Sequence, residues 1–279
     1  MSSSGRSSKP LKNLVILVAC SAKKMVELKS GLESMGGEVL PFPVIEIQAI
    51  EDTGLLDKAL DSLCDYSWII FTSVYGVHFF MKHLKERGII VNRESIPNVC
   101  SIGPSTRAAL EEFGWKTTVL PKNYVAEGVL EALDKYHGGL QHLAGRRVLL
   151  PRAKEAREIL PETLTAAGVH VDVVPCYRTV LAEINENTMK QLQDRKPDLL
   201  VFTSSSTIKN MIEILGREVG EKILLESTVA VLGPVTGDTA RFFGKRAEIV
   251  PETHTIVALL KAIGDHYSGQ SSISRSCIS

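Results

Sequence analysis

Trp68-Ile-Ile-Phe-Thr-Ser73 and Leu199-Leu-Val-Phe-Thr-Ser204 are one motif written twice: four apolar residues, then a Thr-Ser pair, then a helical pattern. An apolar run this short reads as a buried strand, and a hydroxyl pair directly before a helix reads as its N-cap. The repetition continues downstream. Ile102-Gly-Pro-Ser-Thr106 is matched by Leu232-Gly-Pro-Val-Thr236, Phe113-Gly114 by Phe243-Gly244, and Val119-Leu-Pro121 by Ile249-Val-Pro251, at an offset of 130 residues against 131 for the first pair. A register held over so many matches points to duplication of one strand-helix unit.

Strands are predicted at 14–18, 39–43, 68–72, 99–102 and 116–120, then at 147–150, 169–174, 199–203, 228–232 and 247–250. Between them, stretches such as 105–113 and 255–263 place apolar residues at i, i+3 and i+4, as helices packed on a sheet do. Strands alternating with helices mean an α/β fold with parallel sheets, and 279 residues exceed the usual single core. Two domains are therefore expected, with ligand chemistry in a cleft between them.

Pro41-Phe-Pro-Val-Ile-Glu-Ile47 and Val173-Val-Pro-Cys-Tyr-Arg-Thr179 occupy equivalent places in the two halves. Each is β-rich and interrupted by proline, which removes a ladder donor and fits edge or linker strands. Paired as a two-stranded antiparallel hinge, they make one domain discontinuous. The expected division is 1–40 with 180–267 for the first domain, 48–172 for the second, 41–47 and 173–179 for the hinge, and 268–279 as a disordered tail.

Composition excludes several classes. Lys+Arg and Asp+Glu balance at 32 each, so no global basic field attracts nucleic acid, and any anionic ligand must be held by local groups. No apolar run approaches the roughly 18 residues of a membrane span. Five cysteines without a C-x-x-C pair, and seven histidines without H-E-x-x-H, indicate neither a disulfide framework nor a metal site. The opening Met1 to Asn13 is Ser-rich and basic but lacks the apolar segment of a secretory signal, so it reads as a flexible tail or the remnant of an organelle transit peptide.

The candidate ligand groups lie where strands end and helices begin, the edge at which open α/β sheets bind ligands. Thr72 and Ser73 in one half, and Thr203, Ser204, Ser205 and Ser206 in the other, offer hydroxyls beside helix N-termini whose free N–H groups suit a carboxylate. Plain N-capping explains the same residues. Gly103 with Thr106, and Gly233 with Thr236, form Gly-Pro-x-Thr turns that serve either as anion nests or simply as turns. None of these is a nucleotide-binding glycine motif. Arg152 and Arg157 in Pro151-Arg-Ala-Lys-Glu-Ala-Arg157 provide donor forks for carboxylates, or else a solvated helix face. Tyr177 in the second hinge segment offers a phenolic proton, or else amphipathic packing. Tyr124 follows a strand-ending proline and is matched by His254.

Together with Tyr124-Val-Ala-Glu-Gly128, Leu160-Pro161 and Val174-Pro-Cys-Tyr-Arg-Thr179, these segments resemble the uroporphyrinogen-III synthase family over nearly the whole span from Leu14 to Tyr267. Each motif is loose alone; their order and spacing make the set specific. The resemblance implies two flavodoxin-like domains joined by a two-stranded ladder, with linear hydroxymethylbilane held between them and no metal or cofactor. It implies that the enzyme closes the macrocycle while inverting the last pyrrole ring, through loss of water and a spirocyclic intermediate. Tyr177 matches the family's hinge tyrosine, which assists departure of the hydroxyl, whereas Ile45 stands at the equivalent place in the first half. Ser73, Thr106, Ser204, Ser206 and Thr236 match positions lining the cleft.

One departure is plain. Many relatives carry Thr-Arg-Pro after the first strand where this chain has Ala19-Cys20-Ser21, leaving Lys23 or Lys24 as substitutes for the arginine. The implied setting is a cytoplasmic monomer, or an organellar one after loss of a transit peptide, supplied by hydroxymethylbilane synthase. A noncatalytic two-lobed binding or sensor protein is the competing reading, since fold does not fix function.

Overall fold

The computed structural model describes residues 9–92, 96–184 and 186–276. Its first strand, β1 (Val15–Ala19), is buried at all five positions, the mark of a strand covered on both faces and both edges. In chain order follow α1 (Ala22–Ser34), β2 (Glu38–Pro41), β3 (Ile45–Ala49), α2 (Gly54–Asp61), β4 (Trp68–Phe71), α3 (Val74–Glu86), β5 (Asn98–Ser101), α4 (Pro104–Glu112), α5 (Ala126–His137) and β6 (Arg147–Ala153). Then come α6 (Ile159–Ala166), β7 (His170–Leu181), α7 (Glu186–Asp194), β8 (Leu199–Phe202), α8 (Ser205–Leu215), α9 (Arg217–Glu226), β9 (Thr228–Val231), α10 (Pro234–Phe242) and α11 (Ile256–Ser276). Among the described residues no helix is long and apolar enough to cross a membrane.

The chain divides into two compact units at Glu46/Ile47 and Val180/Leu181. The discontinuous unit holds a four-stranded sheet in the order β2-β1-β8-β9, parallel throughout. The continuous unit holds a five-stranded sheet in the order β3-β7-β6-β4-β5, with β7, β6, β4 and β5 mutually parallel. Alternation decides which face each residue serves. Ile69 and Phe71 enter one core of the continuous unit, and Trp68 and Ile70 the other. Leu200 with Phe202, and Leu199 with Val201, divide in the same way in the discontinuous unit. Both faces are helix-covered, which is why these strands read as unbroken apolar runs.

The predicted strands at 116–120 and 247–250 shrink to single bridges, Cys100 to Val119 and Ala230 to Ile249. Each is stopped by a buried proline two residues on, Pro121 or Pro251, which has no N–H to extend a ladder. Both copies fail in the same manner, so the duplication holds even where the element does not.

The separate strands read at 169–174 and 173–179 are one twelve-residue strand, β7. Its register against β6 slips between Arg152 and Ala153, so that Arg152 faces Pro175 and Ala153 faces Tyr177. The bulge takes up the proline and lets the strand run on, with β3 as its other neighbour.

At the ends of the chain, residues 1–8 and 277–279 lie outside those described, but their neighbours differ from the expected tails. Leu11 is fully buried, and its N–H donates to the Met35 carbonyl at 3.0 Å. Helix α11 continues past residue 268 to Ser276 because no proline interrupts the sequence after Pro251.

Candidate active site

In the continuous unit, β4 ends at Phe71 and the backbone turns extended at Ser73, the N-cap of α3. Ser73 Oγ accepts the Gly76 N–H at 2.9 Å, so capping is part of its role. Beside it, β5 leads into Gly103, the N-cap of α4, with Pro104 at the first helical position. A Cβ on Gly103 would meet the Tyr124 ring at 3.4 Å, an ordinary van der Waals distance, so the otherwise exposed tyrosine lies directly over this turn. A Cβ on Gly233 would meet the His254 ring at the same distance in the other unit.

A cavity of about 180 Å³ opens at this edge, lined by Thr72, Ile102, Ala126, Leu150, Arg152, Ala156, Arg157 and Leu160. Three residues chosen from sequence, Thr72, Arg152 and Arg157, thus converge on one apolar-walled pocket. The arginines differ in state. Arg152 is 3% exposed and spends its fork inside the chain: Nη1 donates to the Arg157 carbonyl at 3.2 Å, and Nη2 to the Ala156 carbonyl at 2.7 Å and to the Glu158 carboxylate. Its Nε is buried without a partner. Arg157 is exposed, with one long contact to Glu127 at 3.8 Å. The buried arginine is committed to its own loop, whereas the exposed one is not.

A larger groove of about 530 Å³ runs between residues 118–123 and α5, but none of the sequence-derived candidates lines it. Its charged groups, Lys122, Glu131 and Lys135, are all exposed to water. Convergent polar groups, rather than size, favour the smaller pocket.

Tyr177 lies on β7 and is 7% exposed, with its hydroxyl 2.9 Å from Ser73 Oγ. Its ring stacks on Phe79 at 5.7 Å and leans on Tyr75 at 5.9 Å. Burial raises the phenol's pKa and the Ser73 hydrogen bond opposes the rise, so the group holds its proton at neutral pH.

The discontinuous unit repeats the edge without a phenol. Ser204 is the N-cap of α8 and pairs with Ser206 Oγ at 3.0 Å, while Ser205 Oγ donates to the Val235 carbonyl at 3.1 Å. Thr203, Thr236 and, in the continuous unit, Thr106 are buried. Gly233 caps α10 as Gly103 caps α4. Of the two lysines after β1, the Lys23 side chain lies outside the described residues. Lys24 sits near Cys20 and works against the burial that pushes that thiol up to about 11.

A model of the uroporphyrinogen-III synthase (HemD) family matches residues 26–261, a span that takes in both copies of the unit. The chain belongs to the uroporphyrinogen-III synthase family. A putative uroporphyrinogen-III synthase of Methanothermobacter thermautotrophicus is 31% identical over 237 residues, 83% of this chain and 90% of the relative. The uroporphyrinogen-III synthase of Escherichia coli is 26% identical, covering 89% of this chain and 99% of its own. Among solved structures, a mutant uroporphyrinogen III synthase of Thermus thermophilus superposes with a TM-score of 0.56 at 17% identity, over 92% of this chain and 99% of the other. The Helicobacter pylori enzyme superposes at 0.53, also at 17% identity, over 89% and 97%. At such identity the likeness establishes the fold.

Within this uroporphyrinogen-III synthase fold, sequence reasoning missed the ring partners of the tyrosine. Tyr75 and Phe79 are four residues apart on α3 and so share a face, a signal that was present in the spacing. It also missed Thr207, whose hydroxyl donates to the Ser204 carbonyl at 2.6 Å.

Proposed function

We propose that this protein is a uroporphyrinogen-III synthase, a cyclising lyase of tetrapyrrole biosynthesis that converts hydroxymethylbilane to uroporphyrinogen III with inversion of the last ring. The observation that carries the reading is a family match running through both duplicated units. The substrate is a flexible polyanion, and a chain of balanced charge meets it with local donors: the first-turn N–H groups of α3 and α4, and Arg157 beside a pocket large enough for one carboxylate arm.

Tyr177 serves as proton donor. Its proton passes to the substrate hydroxyl, the carbon–oxygen bond breaks as the adjacent pyrrole nitrogen's lone pair moves in, and water leaves. A cationic azafulvene and a phenolate remain. The ring closes at the substituted carbon of the last pyrrole, and the proton shed when the final macrocycle regains its pyrroles returns to the phenolate. Most of the rate arises from holding the two ends together in the orientation that yields inversion, since uncatalysed closure gives the unflipped isomer. Arg152 supports this indirectly, by holding the loop that carries Arg157.

The deciding experiment supplies purified protein with freshly generated hydroxymethylbilane and separates the oxidised products by chromatography. The type III isomer is expected. Type I alone, formed at the protein-free rate, overturns the assignment in favour of a noncatalytic binding protein.

A further inference from the structure

We infer that Ser73 is a positioning residue for Tyr177: it directs the phenolic proton outward and stabilises the phenolate left when that proton departs. The inference rests on Tyr177 being the proton donor proposed above. A serine hydroxyl has one proton and two lone pairs. One lone pair of Ser73 is taken by the Gly76 N–H, which can only donate. The remaining contact, to the Tyr177 hydroxyl at 2.9 Å, can run either way while the phenol is neutral. Once the phenol has given up its proton its oxygen only accepts, so the serine must donate to it.

The chain of donation is then Gly76 N–H to Ser73 O–H to Tyr177 oxygen. Gly76 lies in the first turn of α3, a helix of 13 residues whose N-terminal end carries partial positive charge. Accepting that N–H polarises the serine hydroxyl and strengthens its own donation. Helix α3 therefore acts on the tyrosine twice: its N-cap reaches the oxygen, and its Tyr75 and Phe79 hold the ring. Burial raises the phenol's pKa, Ser73 lowers it, and Cys176 on β7 and Tyr75 on α3 add to the rise.

The duplication supplies an internal comparison. Ser204 holds the equivalent position before α8, but Ile45 stands where Tyr177 stands in the other copy, and the Ser204 hydroxyl turns to Ser206 instead. The serine-to-phenol bond is thus no obligatory part of the scaffold.

The test is a double-mutant cycle on turnover of enzymatically generated hydroxymethylbilane. Glycine is well tolerated at an N-cap, so Ser73→Gly removes the hydroxyl while leaving α3 formed. We expect kcat to fall about ten- to a hundredfold, as loss of a hydrogen bond to a charged group implies, with KM nearly unchanged. Ser73→Thr restores turnover, and Ser73→Cys, near-isosteric but with a feeble S–H donor, repeats the loss. In a Tyr177→Phe background Ser73→Gly causes no further loss. Equal losses in both backgrounds, or a raised KM at intact kcat, overturn the inference in favour of capping or substrate binding. An impaired Tyr177→Phe beside an undiminished Ser73→Gly overturns this inference alone. A fully active Tyr177→Phe overturns the proton-donor reading as well.

Discussion

Tyr66, Arg147 and Asp172 close a triangle at the end of β6 opposite Arg152. The Tyr66 hydroxyl donates to Asp172 Oδ2 at 2.6 Å, Arg147 Nη2 donates to the same oxygen at 2.8 Å, and the guanidinium lies over the Tyr66 ring at 4.5 Å. Burial works to raise the Asp172 carboxyl, but the two hydrogen bonds outweigh it and the pKa falls below the ordinary value. Tyr66 is pushed up to about 12, by burial first and then by the Asp172 hydrogen bond. Because folding lowers the carboxyl's pKa, its contribution to stability is complete above the unfolded value, near 4, and is lost as pH falls through the lower folded value. Asp172→Asn should therefore lower the urea midpoint at pH 7, with the gap to the unaltered protein closing as the pH is taken down towards 3. A gap that stays constant removes the carboxylate's charge from the account. The same substitution should bring the Tyr66 titration down towards its ordinary range. Nothing in the sequence marks this cluster, because Tyr66 and Asp172 are separated by 106 residues and meet only once β7 is laid beside β6. The hydroxyls at strand ends were legible because capping and sheet-edge position follow from local order. The partners of Arg152 and Tyr177 were not: those of Arg152 lie four to six residues on but depend on how its loop folds back, and Ser73 lies 104 residues from Tyr177.

Among elements, those whose signal is local came through: β4 and β8 as apolar runs, and α4 and α10 opened by Gly-Pro. What failed was continuity. The two short parallel stretches after α4 and α10 look like strands by residue type, yet a proline ends each before a ladder forms, while Pro175 fails to stop β7 because the bulge absorbs it. Helix α5 carries a constraint of the same kind. A Cβ on Gly128 would sit 2.1 Å from the Asn123 carbonyl oxygen, a backbone atom that moves only with its loop. Gly128→Ala should cost about 1–3 kcal/mol through overpacking and shift the segment that lays Tyr124 over Gly103. Urea denaturation and KM measure the two effects together. Ala258 stands at the equivalent place in the other copy, so Ala258→Gly there should cost no more than the helix-propensity difference, about 1 kcal/mol. Equal effects at the two sites would contradict the contact.

At the scale of the whole molecule, duplication was legible because both copies need the same turn chemistry at the same sheet edge. The route of the chain between units was less so. The unit boundaries fall inside β3 and β7, and the four-stranded sheet is completed by strands from both ends of the sequence. That topology sets unequal demands on the units. Residues 47–180 are contiguous and carry apolar cores on both faces of their sheet, so this fragment expressed alone should unfold cooperatively in urea and keep near-ultraviolet dichroism from its buried Trp68. Residues 181–276 contain β8 and β9 but not β1, whose five buried residues lie between β2 and β8. Alone, that fragment exposes the open, apolar edge of β8 and should aggregate or remain unfolded. Adding a peptide of residues 9–46, which brings β1, α1 and β2, should restore ordered structure, seen as dispersed amide signals in NMR. Should the 181–276 fragment instead fold unaided, β1 is dispensable to the sheet and the discontinuous core does not depend on its position between β2 and β8.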